Sequence, residues 1–62
     1  MATARQIRNA LSDLRNAAPE DKAAAKAIVL TLGGQTALGL DKTDCKDFVA
    51  SLGAEIDDAM GA

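Results

Sequence analysis

The chain has 62 residues and a mass of 6.3 kDa, which leaves room for one small domain and no second one. Its net charge is −2, and it has one Cys, one Phe and no His, Trp or Tyr. These counts exclude an internal disulfide and the common Cys/His zinc sites. They also leave 14 Ala but only 15 large apolar residues for a core. We therefore expect marginal stability, supplemented by a partner or by self-assembly.

The first segment predicts an amphipathic helix over about residues 3–17. Thr3 is a candidate N-cap, and Ile7, Leu11 and Leu14 recur at the spacing of one helical face. A separate polar side carries three arginines: Arg5, Arg8 and Arg15.

The second segment predicts a helix over about residues 19–32. Pro19 suits the first helical position, where its missing N–H would be unpaired in any case. Residues 28–32 are apolar nearly all round, which favours a central position in the fold. Gly33 is interpreted as a left-handed stop. A Gly-rich connector over 33–40 follows, and it is expected to bury Leu38 and Leu40.

An alternative remains open for this region. Two apolar runs flank the Gly33–Gly34 pair, and a two-residue Gly-Gly turn can join two strands. The alternative fold is therefore helix, β-hairpin over 28–40, helix.

The third segment predicts the most regular amphipathic helix, over about residues 42–60, with Asp41 or Thr43 as its cap. Gly53 at the edge of its apolar face is expected to allow close approach of a neighbouring backbone. The apolar face comprises Cys45, Phe48, Val49, Leu52, Ile56, Ala59 and Met60. The predicted fold class is all-α, a single three-helix unit spanning 1–62.

Charge is distributed unevenly. Residues 1–18 carry +2, residues 19–40 carry zero and residues 41–62 carry −4. The two end helices either neutralise each other within the fold or present separate patches to different neighbours.

Catalysis is not expected, because acid–base chemistry near neutral pH most often uses His, and Cys45 is interpreted as a buried small hydrophobe. No cofactor is expected. Asp41, Asp44 and Asp47 lack the spacing of a calcium loop, so helix capping and solvation explain them better than a metal site.

The beginning of the sequence has basic residues without a following apolar region, so we expect no signal peptide. The longest strongly apolar run, 27–32, is too short to span a membrane. We expect a cytoplasmic protein or a component of a cytoplasmically assembled particle such as a virion.

These observations predict a protein–protein interaction module: an accessory, decoration or stabilising subunit of a larger assembly, for which a virus or phage particle is one setting. Neither a membrane nor a small-molecule substrate is expected as a partner, and nucleic acid is disfavoured. The predicted contact residues are basic (Arg5, Arg8, Arg15), acidic (Asp44, Asp47, Glu55, Asp58) and apolar (Leu30, Leu38, Met60).

Two alternatives remain. The acidic helix could imitate a phosphate backbone, which would make the chain an inhibitor of a nucleic-acid-binding protein. Residues 35–48 also resemble a helix-turn-helix, which implies DNA binding, although Asp44 and Asp47 would then face phosphates.

Overall fold

The computed structural model describes residues 2–62 and contains three α-helices. They are α1 (Ala4–Asn16), α2 (Lys22–Ala37) and α3 (Lys42–Met60), and a 3-10 turn, Pro19–Asp21, precedes α2. The all-α prediction is confirmed. The hairpin alternative is wrong, because residues 28–37 are helical and no strand occurs within 2–62.

The start of α1 is fixed by its sequence. The Gln6 N–H donates to Thr3 Oγ1 (3.1 Å), and the Thr3 N–H donates to Gln6 Oε1 (2.8 Å). This reciprocal capping box satisfies two N–H groups that the helix itself leaves unpaired. The prediction of Thr3 as the N-cap is confirmed.

α2 differs from its predicted bounds at both ends. Pro19 lies in the 3-10 turn, so the α-helix begins at Lys22 rather than at residue 19. It continues through Gly33 and ends at Ala37, and no glycine within 2–62 has a positive φ. Gly33 is therefore not a stop, and the connector shrinks to residues 38–41.

Packing explains why α2 continues. A Cβ at position 33 would overlap Leu52 Cδ2, so a larger residue there would force the Leu52 side chain to shift, and glycine allows α2 to lie close to α3. A Cβ on Gly53 meets nothing within 4 Å. The glycine that permits close approach is thus Gly33, and the expectation for Gly53 is wrong.

α3 occupies its predicted bounds, and Asp41 is its cap. The Asp44 N–H donates to Asp41 Oδ1 (2.8 Å). Its predicted apolar face divides into three parts: Leu52, Ile56 and Ala59 are buried, Cys45 and Phe48 are half-buried, and Val49 and Met60 are exposed.

α1 and α3 run parallel. Arg15 contacts Asp58 near the ends of the two helices, and Ala4 and Phe48 line one surface depression near their beginnings. The seven residues of the buried apolar cluster come from all three helices: Ile7, Ala10, Leu14, Val29, Leu52, Ile56 and Ala59.

α2 runs antiparallel to both. Lys22 at its start lies beside Ala59 at the end of α3, and Gly33 near its end lies against Leu52. With only two neighbours, α2 cannot bury its whole apolar circumference, and Ile28 and Leu30 remain 58% and 52% exposed. α2 is therefore not the central, enclosed helix that its composition predicts.

Lys22 is the one buried charged residue among 2–62. Its Nζ donates to the carbonyl oxygens of Leu14 (3.2 Å), Arg15 (3.4 Å) and Ala59 (2.9 Å). These carbonyls lie in the last turns of α1 and α3, where helices leave acceptors unpaired and the dipole favours a cation. One ammonium group thus connects all three helices at one end of the bundle.

Candidate interaction surface

An open apolar groove of about 260 Å³ lies between α2 and α3 on the side away from α1. We call its lining the groove face: Leu30, Gly33, Gly34, Ala37, Phe48, Val49, Leu52, Gly53 and Ile56. None of these residues carries a charge. The α2 members recur at i, i+3, i+4 and i+7, and so do Val49, Leu52, Gly53 and Ile56 of α3, so the groove runs along both helices.

The groove face carries both raised side chains and depressions. Leu30 and Val49 are 52% and 54% exposed and form raised edges. Gly34 and Gly53 have open space where a Cβ would be, so each leaves a depression one helical turn beyond the raised residue of its own helix.

The predicted apolar contacts lie at or near this surface. Leu30 is part of the groove face. Met60, 37% exposed, continues the α3 stripe one turn beyond Ile56. Leu38 caps the C-terminal end of α2 and is 89% exposed, and Leu40 is 37% exposed, so the expectation that the connector buries these two side chains is wrong.

The structure brings some of the predicted basic and acidic residues together where α1 lies beside α3. We call this surface the charged border, and it comprises Arg8, Arg15, Glu55 and Asp58. Arg15 Nη2 donates to Asp58 Oδ2 (2.6 Å), and both side chains are at least half exposed. Arg8, Arg15 and Glu55 line one depression beside this pair. The two end helices therefore neutralise each other at this border.

The other predicted charged residues are not gathered into a site. Arg5 is exposed on α1, and Asp44 and Asp47 are exposed on the first turns of α3. Within residues 2–62 no group of three or more His, Cys, Asp or Glu could hold a metal ion. No helix in that range is long and apolar enough to cross a bilayer.

Sequence reasoning missed two features of this surface. Val49 falls on the face that was predicted to be core. It is 54% exposed because α2 packs against α3 without covering this side chain. The depressions at Gly34 and Gly53 were also missed, because they matter only beside Leu30 and Val49, whose exposure depends on the folded arrangement; the sequence indicated a turn at Gly34 and a backbone contact at Gly53.

Comparisons of this chain with protein-family models, with curated proteins and with solved structures give no match.

Proposed function

We propose that this chain is a non-enzymatic protein–protein interaction module, an accessory or stabilising subunit of a larger assembly, and that it binds through the groove face. The observation that carries the proposal is an uncharged groove along two helices, edged by half-exposed Leu30 and Val49. Apolar surface of this kind, bounded by polar residues, is typical of an interaction site.

Total exposed area supports the same proposal. The chain exposes 4247 Å². A compact monomer of 6.3 kDa is expected to expose about 3,700 Å². The chain therefore exposes roughly 500 Å² more than a compact monomer of its mass, and a small specific interface covers about 600 Å² on each partner.

The charged border gives less support to the inhibitor alternative. A phosphate mimic needs an unopposed row of acids, whereas Asp58 bonds to Arg15 and Glu55 lies beside Arg8. The DNA-binding alternative needs cations on α3, and the exposed first turns of that helix carry Asp44 and Asp47. We therefore place the contact on the groove face.

The test compares two matched acidic substitutions on α3. Val49→Asp puts a charge on the groove face, and Ser51→Asp puts one on an exposed position away from it. The chain is purified under mild conditions from its source cells, and its native mass is measured. We expect a complex heavier than 6.3 kDa for the natural chain and for Ser51→Asp, but a free chain for Val49→Asp.

Ionic strength separates the alternatives. An apolar contact persists when salt is raised from about 50 to about 300 mM, whereas an electrostatic decoy loses most of its affinity. The proposal fails if the chain is always free at 6.3 kDa, or if Val49→Asp leaves the complex intact.

A further inference from the structure

We infer that the occupant of the groove face is a second copy of this chain, docked about a two-fold axis to give an antiparallel four-helix core of two α2 and two α3 helices. This inference rests on the proposed function and specifies its partner. It is carried by self-complementarity of shape and of charge, together with the excess of exposed area.

The raised residues and depressions have the spacing that self-association requires. In a two-fold interface, residue i of one copy faces residue j of the other, and j faces i. Leu30 lies four residues before Gly34, and Val49 lies four residues before Gly53. An axis crossing α2 midway between Leu30 and Gly34 places each leucine over the other copy's glycine.

The same two-fold axis must also pass midway between Val49 and Gly53 of α3. This requires the two midpoints, one on each helix, to lie at the same level along the bundle. The midpoint on α2 is residue 32, and the midpoint between Val49 and Gly53 is residue 51. Counting along antiparallel helices from the Gly33–Leu52 contact places residue 32 beside residue 53. Counting from the pair formed by the Lys22 side chain and Ala59 places it beside residue 49. The two counts lie on either side of residue 51 and within one helical turn of it, so a single axis crosses α2 near residue 32 and α3 near residue 51.

Charge is also complementary under this operation. Lys46 and Asp57 are exposed on α3 and lie along the outer edge of the stripe that contains Val49 and Gly53. Lys46 lies five positions before residue 51, and Asp57 lies six positions after it. The axis therefore brings Lys46 of each copy close to Asp57 of the other, which gives two ion pairs at the rim. On α2 the facing residues, Ala27 and Ala37, are small and uncharged.

The resulting arrangement has favourable helix directions. Each α2 lies antiparallel to its own α3 and to the other copy's α2, so all neighbouring helices in the four-helix core are antiparallel. Each α1 remains outside, against its own α2 and α3. The glycine depressions let the helices approach closely, and the surface that each copy covers is the uncharged groove face.

The first test fills the depressions. Gly34→Leu and Gly53→Leu place a side chain in open space on the isolated chain, and leucine is a better helix former than glycine. Both variants should fold, which circular dichroism checks. We expect the purified natural chain to sediment at twice 6.3 kDa at micromolar concentration. Each variant should weaken dimerisation at least tenfold.

The second test exchanges charges. Each single variant, Lys46→Asp or Asp57→Lys, places two pairs of like charges across the dimer interface. We expect each to raise the dimer dissociation constant severalfold. The double variant restores opposite pairs and should return the constant to near its original value. Asp47→Lys, a matched substitution on another side of α3, should leave it unchanged.

The outcomes separate this inference from the proposed function. A dimer that tolerates Gly34→Leu and Gly53→Leu, or that the double charge exchange does not rescue, overturns the two-fold docking. So does a chain that stays monomeric at every concentration. In that last case the proposed function still stands if Val49→Asp, and not Ser51→Asp, releases the chain from a complex with a different protein.

Discussion

At the scale of single residues, Lys22 connects the three helices at one end of the bundle. A lysine at the start of a helix, after Glu20 and Asp21, has the pattern of a solvent-exposed charge. In the folded chain it is buried and donates to three carbonyl oxygens from two other helices. The sequence could not reveal this, because those acceptors converge only when α1 and α3 run parallel and end together.

We predict that Lys22→Met lowers the free energy of unfolding by about 2–3 kcal/mol, since hydrogen bonds to a charged donor contribute about 1.5–3 kcal/mol each and are not additive. The melting temperature should fall by roughly 10 °C or more. Thermal denaturation followed by circular dichroism measures this. Lys26→Met, at a half-buried position one turn later, is the control and should change stability by much less. Equal losses in the two variants would contradict the assigned role of Lys22.

At the scale of elements, the starts of α1 and α3 were predictable and the bounds of α2 were not. Thr3 and Asp41 act through residues three positions away, so their capping hydrogen bonds are encoded locally. The end of α2 depends on distant residues. Local propensity favours a stop at Gly33–Gly34, but contact with Leu52 makes a helical glycine at position 33 the better fit.

The two glycines of α2 should therefore respond differently to alanine. Gly34→Ala enters open space and should raise the free energy of unfolding of the isolated chain by about 0.5–1 kcal/mol through helix propensity. Gly33→Ala has the same propensity gain but forces the buried Leu52 side chain to move, which costs about 1–3 kcal/mol. Urea denaturation of both variants, at concentrations where the chain is monomeric, measures the difference. Equal stabilisation by the two substitutions would show that α2 and α3 are not in close contact at Gly33.

At the scale of the whole molecule, the unequal charges of the end helices are only partly used within the fold. The sequence left open whether they neutralise each other or face different neighbours. The parallel packing of α1 and α3 decides this for Arg15 and Asp58, and leaves Arg5, Asp44 and Asp47 exposed. The groove face was not predictable, because it depends on how α2 and α3 are placed rather than on either helix alone.

The Arg15–Asp58 pair should contribute little to stability despite its short distance. Its side chains are 50% and 70% exposed, and pairs of this kind contribute about 0.2–1 kcal/mol. A double-mutant cycle with Arg15→Ala and Asp58→Ala, measured by urea denaturation, should give a coupling energy in this range. In about 1 M NaCl the coupling should approach zero. A coupling well above this range that is insensitive to salt would contradict the prediction.

The parallel course of α1 and α3 also places their first residues at one pole of the molecule and their last residues at the other. The Ala2 carbonyl accepts a hydrogen bond from Thr36 Oγ1 at one pole, and Ala59 accepts one from Lys22 at the other. The 16 residues of α2 set these poles about 24 Å apart. A linker that joined residue 59 to residue 2 would need at least about seven extended residues to span this distance. Fluorophores attached beside Ala2 and Ala59 would likewise report on opposite poles of the molecule.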